Sequence, residues 1–282
     1  MMILNVGIVG CAGRGGAFLN TFNLHPQTRL WALCDIDEEG LKERGDQMGV
    51  DRLYTDYEQM LNEGDIHIAV IGTPMPLHAP QAIIALERGI HVMSEVPASV
   101  NIQEARRLVQ ACRESSATYM MAENYTYMKP NVLVRELARQ GFFGEMYFGE
   151  GEYLHELKEL NEKTPWRRKW QTGINGITYP THSLGPVLQW MDERVVSVMC
   201  AGSGHHYTDP RGDRYENEDS VLMLCRMSGG GLVKIRVDML SDRPHNMTYY
   251  SLQGTDGVYE ADRGLEDEPK IWLRELHGDE PQ

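Results

Sequence analysis

The stretch Gly10-Cys11-Ala12-Gly13-Arg14-Gly15-Gly16 stands at the end of an apolar run over residues 3–9, and it constrains the fold more than any other feature of the chain. Gly10, Ala12 and Gly15 occupy the spacing G-x-G-x-x-G, with alanine in the middle place. In a strand-to-helix turn the first glycine permits the tight bend and the small middle residue lets the backbone approach a pyrophosphate. The last glycine lets the helix lie against the strand. The N-terminus of such a helix adds unpaired N–H groups and the positive end of a dipole. Residues 13–24 have the pattern of that helix and residues 29–34 that of a second strand. Asp35 follows, twenty positions after Gly15. An acid there accepts hydrogen bonds from the adenosine ribose of a dinucleotide, and favours NAD over NADP. Asp37 is a second candidate, although its place before a helical pattern over residues 38–48 suits an N-cap. A glycine motif alone is weak; the strand on either side of it gives this one weight.

The alternation continues. Residues 67–72, 91–94 and 118–122 read as strands, and 77–88 and 102–114 as helices. Such alternation predicts a parallel sheet with helices on both faces. After about residue 123 the rhythm changes. A helix over 130–139 and a long alternating segment over 145–155 precede a helical stretch over 184–191. Strand-like runs follow at 195–201, 220–227, 232–240 and 248–253, with turns such as Ser228-Gly229-Gly230-Gly231. Consecutive strands with tight turns predict antiparallel pairing. The expected fold is α/β: a Rossmann domain over residues 1–122, then an α+β domain over 123–282 with a large, mostly antiparallel open sheet.

Composition excludes several partners. The formal net charge of −14 repels phosphate backbones, so no nucleic acid is expected. No apolar run is long enough to span a bilayer, so no membrane association is expected. The N-terminus runs straight into a strand without the pattern of a signal peptide. Five scattered cysteines without a CxxC fit reduced thiols, and a cytoplasmic location is expected.

The segments GCAGRGG (10–16), ALCDID (32–37), IGTPMPLHAPQAIIALERGIHVMSEVPAS (71–99) and QGTDGVYE (253–260) resemble the Gfo/Idh/MocA oxidoreductase family over nearly the whole chain. The resemblance implies a Rossmann domain and a second domain with an open sheet. It also implies NAD(P), carbohydrate-like substrates and homo-oligomers built through that sheet. On the matching motifs the cofactor residues are Gly10, Cys11, Ala12, Gly13, Arg14, Gly15, Asp35, Thr73, Pro74, His78, Glu95, Val96, Pro97 and Asn124. Ordinary members carry Glu-Lys-Pro where this chain has Glu95-Val96-Pro97, and valine moves no proton. That wording, with MMAEN (120–124), GEGEYLHEL (149–157), Trp166-Arg167 and YPTHSLGPV (179–187), is similar to the NAD-dependent glycoside hydrolases of family 109, which include α-N-acetylgalactosaminidases. Those hydrolases are usually longer, so the second domain is either C-terminally shortened or incomplete.

Tyr153 and His155 lie two apart on an alternating segment and so share a strand face. Tyr179 and His182 lie three apart where a loop enters a helix. The resemblance implies that these four surround the sugar beside the nicotinamide and are the catalytic residues. The implied cycle is redox-neutral: oxidation at C3, loss of the C2 proton to Tyr153 or Tyr179, elimination with His182 as acid, water addition and reduction. Trp166 and Arg167 are candidate sugar contacts, with a loop anchor as the other reading. His205, His206, Asp209 and Asp213 have no metal-ligand spacing, and no metal is expected. Lys158, Lys163, Arg167, Arg168 and Lys169 read as a solvated basic loop. The alternative function is an NAD-dependent sugar or polyol dehydrogenase. A non-catalytic NAD sensor would not need the tyrosines and histidines.

Overall fold

In the computed structural model, residues 2–242, 246–264 and 266–278 are described. They form two compact units that divide between Ala122 and Glu123.

The first unit has strands β1 (Leu4–Val9), β2 (Thr28–Cys34), β3 (Leu53–Tyr54), β4 (Ile68–Ile71), β5 (His91–Ser94) and β6 (Tyr119–Met121). Its helices are α1 (Leu19–Leu24), α2 (Glu38–Met48), α3 (Tyr57–Glu63), α4 (His78–Glu87) and α5 (Ile102–Glu114). The strands form one sheet in the order β3-β2-β1-β4-β5-β6. Every neighbouring pair is parallel. This is the doubly wound order, whose reversal point lies between β1 and β4. Apolar runs such as Val6–Val9 and Ala69–Ile71 are buried because helices cover both faces, which gives two separate clusters of core side chains. Asp37 caps α2 by accepting from the Gly40 N–H, and Asn101 caps α5 through Glu104. The long helix expected over 13–24 is instead a 3-10 turn, Arg14–Phe18, followed by six residues of α1. Gly15-Gly16 is a poor α-helix start, and Gly15 is held against the Gly10 carbonyl.

The second unit contains α6 (Lys129–Arg139), β7 (Met146–Leu154), α7 (Lys158–Lys163), α8 (Pro165–Trp170), α9 (Thr181–Met191), β8 (Val195–Gly202), β9 (Ser220–Met227), β10 (Leu232–Asp238), β11 (Thr248–Gly254), β12 (Gly257–Glu260), β13 (Lys270–Leu273) and α10 (Arg274–His277). Its sheet runs β13-β12-β11-β7-β10-β9-β8. All pairs are antiparallel except β7 with β10, which is parallel. The second fold is therefore a mostly antiparallel mixed sheet. Helix α9 lies on β7, with Val187, Trp190 and Met191 in the core beside Val233 and Ile235. The approach is so close that a Cβ on Gly151 would land on the Ser183 carbonyl oxygen. Glycine at 149 and 151 thus brings the start of α9 down onto the strand that carries Tyr153. No helix among the described residues is long and apolar enough to cross a membrane.

Candidate active site

In the first unit, β1 ends in a turn built almost wholly of backbone. Gly10 has φ +78°, and a Cβ there would stand 2.6 Å from the Gly72 oxygen. A Cβ on Gly15 would meet the Gly10 oxygen at 2.7 Å. Gly13 and Gly15 both donate to that oxygen, at 3.1 and 2.9 Å. Asp35 Oδ2 accepts from the Ala12 N–H at 2.9 Å and Oδ1 from the Asp37 N–H at 3.1 Å. Each carboxylate oxygen keeps a second acceptor direction, so Asp35 anchors the turn and can still receive ribose hydroxyls. Beside it Ile36 is 91% exposed, an apolar surface against which a base can lie. These features fit a nicotinamide dinucleotide: a turn without room for side chains, ending at an anchored acid. The 3-10 turn makes the helix-dipole contribution smaller than a long helix would give, so the backbone N–H groups of the turn are its main attraction for an anion.

The other expected cofactor residues form a supporting frame. Arg14 Nε lies 2.6 Å from Oε1 of buried Glu95 and so ties the glycine turn to Glu95-Val96-Pro97. His78 is 1% exposed, with Nδ1 2.9 Å from the Pro97 oxygen and Nε2 2.7 Å from the Thr73 oxygen. It joins the two loops. Thr73 donates to Gln81, and Pro74 precedes a short 3-10 turn, Met75–Leu77. Val96 is 3% exposed. Burial, with the Asp35 charge nearby, pushes the Cys11 thiol up to about 12. Burial first, then Cys11 and Asp35, do the same to Cys34. Both stay protonated and unreactive.

In the second unit, β7, the segment before α9 and the first turn of α9 bring all four expected catalytic residues together. Ring centroids are 4.8 Å apart for Tyr153 and His182 and 5.0 Å for Tyr179 and His182. They are 5.6 Å apart for Tyr153 and His155. His155 lies one residue past the end of β7, yet its ring stays on the Tyr153 face, with Nδ1 2.7 Å from the Tyr153 hydroxyl. Burial pushes the Tyr153 hydroxyl well above the ordinary tyrosine range; Tyr179 and Tyr125 add to this and the Arg167 charge opposes it. Tyr153 is therefore a phenol at neutral pH, with His155 Nδ1 in hydrogen-bond contact with its hydroxyl. His182 Nδ1 lies 2.8 and 3.0 Å from the two oxygens of Glu123, with both side chains buried. The pairing fixes the ring through Nδ1, so Nε2 is the nitrogen that can exchange a proton. Tyr250 donates to the His182 carbonyl at 2.5 Å, which holds the turn from below.

A family model described as "Oxidoreductase family, NAD-binding Rossmann fold" matches residues 4–123. A second, "Glycosyl hydrolase 109, C-terminal domain", matches residues 127–276, more than half of the chain. The chain belongs to glycosyl hydrolase family 109. A family 109 protein of Saccharopolyspora erythraea is 32% identical over 98% of this chain and 66% of its own length. A protein of Shewanella oneidensis named alpha-N-acetylgalactosaminidase is 32% identical over 92% of this chain and 63% of its own. The chain thus spans slightly less than two thirds of these curated relatives. Among solved structures, the WlbA dehydrogenase of Bordetella pertussis, in complex with NADH and UDP-GlcNAcA, superposes with a TM-score of 0.80 at 24% identity, over 99% of this chain and 83% of that one. A levoglucosan dehydrogenase, in complex with NADH and L-sorbose, gives 0.82 at 23% identity, over 99% and 78%. At these identities the likeness is one of fold.

In this family 109 chain the residue that sequence reasoning missed is Glu123. It stands one place before Asn124, inside the same MMAEN motif, and its partner His182 is 59 positions away. The usable signal was chemical: a working imidazole needs a group to orient its other nitrogen. Tyr125 was missed too; its ring lies 4.3 Å from His182 and 5.9 Å from Tyr153. Asn124 is exposed at the start of a 3-10 turn, Asn124–Tyr127. Arg167 lies over the Trp166 ring at 4.4 Å and donates to Gln171. The basic run is not a solvated loop. It forms α7 and α8, where Lys158 pairs with Asp242 and Arg168 with buried Asp209. The other group considered for a metal is split up, since His206 turns to Asp219 at 2.5 Å.

Proposed function

We propose that this family 109 chain is an NAD-dependent glycosidase that cleaves a terminal sugar without net redox change. The observation that carries the reading is the contact between two proton-transfer pairs, Glu123–His182 and Tyr153–His155, in a chain whose Glu95-Val96-Pro97 lacks a proton-bearing middle residue. When bound, NAD supplies a reversible hydride acceptor that turns C3 of the sugar into a ketone and so acidifies the C2 proton. Tyr153 passes its own hydroxyl proton to His155 Nδ1 across the 2.7 Å contact and takes the C2 proton in its place. His182 gives the Nε2 proton to the departing oxygen, and Glu123 stabilises the ring in both protonation states. The same groups run in reverse for water. Gly10 to Gly15, Arg14 and Asp35 hold the dinucleotide, and Arg167 with Trp166 contacts the sugar.

The name of the Shewanella relative makes α-N-acetylgalactosamine the first sugar to test. An aryl α-N-acetylgalactosaminide, given with NAD in heavy water, should be cleaved without NADH accumulation. The released sugar should carry deuterium at C2. Cleavage without exchange would exclude elimination, and stoichiometric NADH with an oxidised sugar would replace this reading by the dehydrogenase one. We further propose a homo-oligomer formed through the sheet of the second unit. Its edge strand β8 leaves Val196, Val198 and Met199 exposed, Met199 at 68%. A monomer by light scattering at micromolar concentration would exclude it. The five unpaired thiols support a cytoplasmic location.

A further inference from the structure

The second unit has a cleft that the acid–base cluster does not use. Its volume is about 480 Å3, and Arg168, Thr172, Asp213, Arg214, Tyr215 and Glu216 line it. That size suits a small polar ligand. Cleft and cluster share one short stretch of backbone. Arg167 acts electrostatically on Tyr153, while its neighbour Arg168 faces the cleft. Thr172 N–H bonds back to the Arg167 carbonyl at 3.1 Å, and Thr178 donates to the Gln171 carbonyl at 2.8 Å, one residue before Tyr179.

The chemistry of the wall selects a ligand class. Arg168 is already neutralised: it pairs with Asp209 and lies 3.4 Å from Glu162 and 3.7 Å from Asp213. It offers directed donors without a field that attracts anions. Arg214 is offset by Asp213 and Glu216 on the same wall. Tyr215 is 4% exposed, and its hydroxyl is buried without a hydrogen-bond partner among the described residues. Such a group is an unmet demand for a polar ligand atom or a water. Donors and acceptors in balance, a polar wall and a buried unpartnered hydroxyl match a neutral unit rich in hydroxyls.

We propose that this cleft is a second sugar subsite, which holds the neutral sugar on the leaving side of the bond that the cluster cleaves; the assignment rests on the glycosidase reading. The test is calorimetric binding to the NAD-loaded protein. The probes are N-acetylgalactosamine and an uncleavable disaccharide analogue in which a methylene group α-links it to a second neutral hexose. The disaccharide should bind about tenfold more tightly, the worth of one or two net hydrogen bonds. Arg214→Ala with Glu216→Ala should erase that advantage and leave the monosaccharide affinity and the thermal midpoint unchanged. Both residues are exposed, and the Arg168–Asp209 pair stays intact. Equal affinities, no measurable disaccharide binding, an advantage that survives the double variant, or tighter binding of a disaccharide ending in a uronic acid would each overturn the subsite. A protein that shows the advantage but cleaves no glycoside keeps a second sugar-binding cleft and loses the glycosidase reading. One that cleaves aryl glycosides without the advantage does the reverse.

Discussion

Replacing Glu123 by Gln tests the proton-transfer role of His182 with almost no change of shape. Glu123 accepts from His182 Nδ1 at 2.8 Å and from the Tyr125 N–H at 2.9 Å, both through Oε1, and its side chain is buried. Glutamine keeps an acceptor oxygen for both donors, removes the charge, and turns the second acceptor, 3.0 Å from His182 Nδ1, into a donor. A hydrogen bond to a charged group contributes about 1.5–3 kcal/mol and a neutral one about 0.5–1.5. The charge-dependent part is therefore about 1–2 kcal/mol, roughly a 5- to 30-fold loss in turnover. The loss should depend on the leaving group. An alkyl glycoside needs a proton at the departing oxygen and should show the full effect; a nitrophenyl glycoside leaves as a stable anion and should show little. NAD affinity should not change. Comparing kcat for the two substrates, with a fluorescence titration of NAD, decides the matter. Equal losses on both leaving groups, or a parallel loss of NAD affinity, would refute the assignment of His182 as acid. Glu123→Ala should be worse on another axis, since removing one partner of a buried pair costs about 3–5 kcal/mol of stability.

Asp35→Ala should narrow the preference for NAD over NADP and also weaken NAD itself, because Asp35 holds the Ala12 N–H; titrations of both cofactors check this, and tighter NADP binding by the parent protein would remove the role. Gly151→Ala should lower the unfolding free energy by about 1–3 kcal/mol or more in denaturant melts, since the added methyl meets the Ser183 carbonyl and overpacks the α9–β7 contact. Stability should also fall at high pH. Cys11 and Cys34 rise from 9.0 to about 12 on folding, so the folded state favours the protonated thiol. Their contribution is complete below about pH 9 and is lost as pH climbs through 12. Denaturant midpoints across that range should decline, and less steeply in Cys34→Ala.

What the sequence made legible follows from where side chains lie. Parallel strands buried on both faces read as apolar runs, so residues 3–9 and 67–72 mark β1 and β4 closely. The two-residue β3 and the seven-residue α3 carry too little periodicity to be read. β12 and β13, four residues each, share that fate. The parallel pairing of β7 with β10 is a contact between segments some eighty residues apart, beyond the reach of any local pattern. Helices α7 and α8 were hidden by their charges, which read as a solvated loop although Arg168 and Lys158 are spent on pairs with distant aspartates. The tyrosines and histidines were legible as types and spacing. Glu123 was not, because its meaning comes from His182 and appears only when α9 settles on β7.

The two units divide the chemistry in a way that suits a cofactor restored in every turnover. In the first, four groups near the glycine turn and the Glu95-Val96-Pro97 segment are committed. Glu95 is held by Arg14, both ring nitrogens of His78 face carbonyl oxygens, and Cys11 and Cys34 are kept protonated by burial. Val96 fills with hydrocarbon the place where the resembling dehydrogenases have a lysine. On the proposed function that unit holds and orients the cofactor. In the second, two pairs with exchangeable protons touch within one aromatic cluster, and each pair has a donor already aligned on its acceptor. A dehydrogenase needs one proton path beside the hydride, because one proton leaves with each oxidation. A redox-neutral glycosidase needs that path and two more, one at C2 and one at the departing oxygen, each used forward and then in reverse. The tyrosine–histidine pair and the histidine–glutamate pair are matched to the two paths that elimination adds.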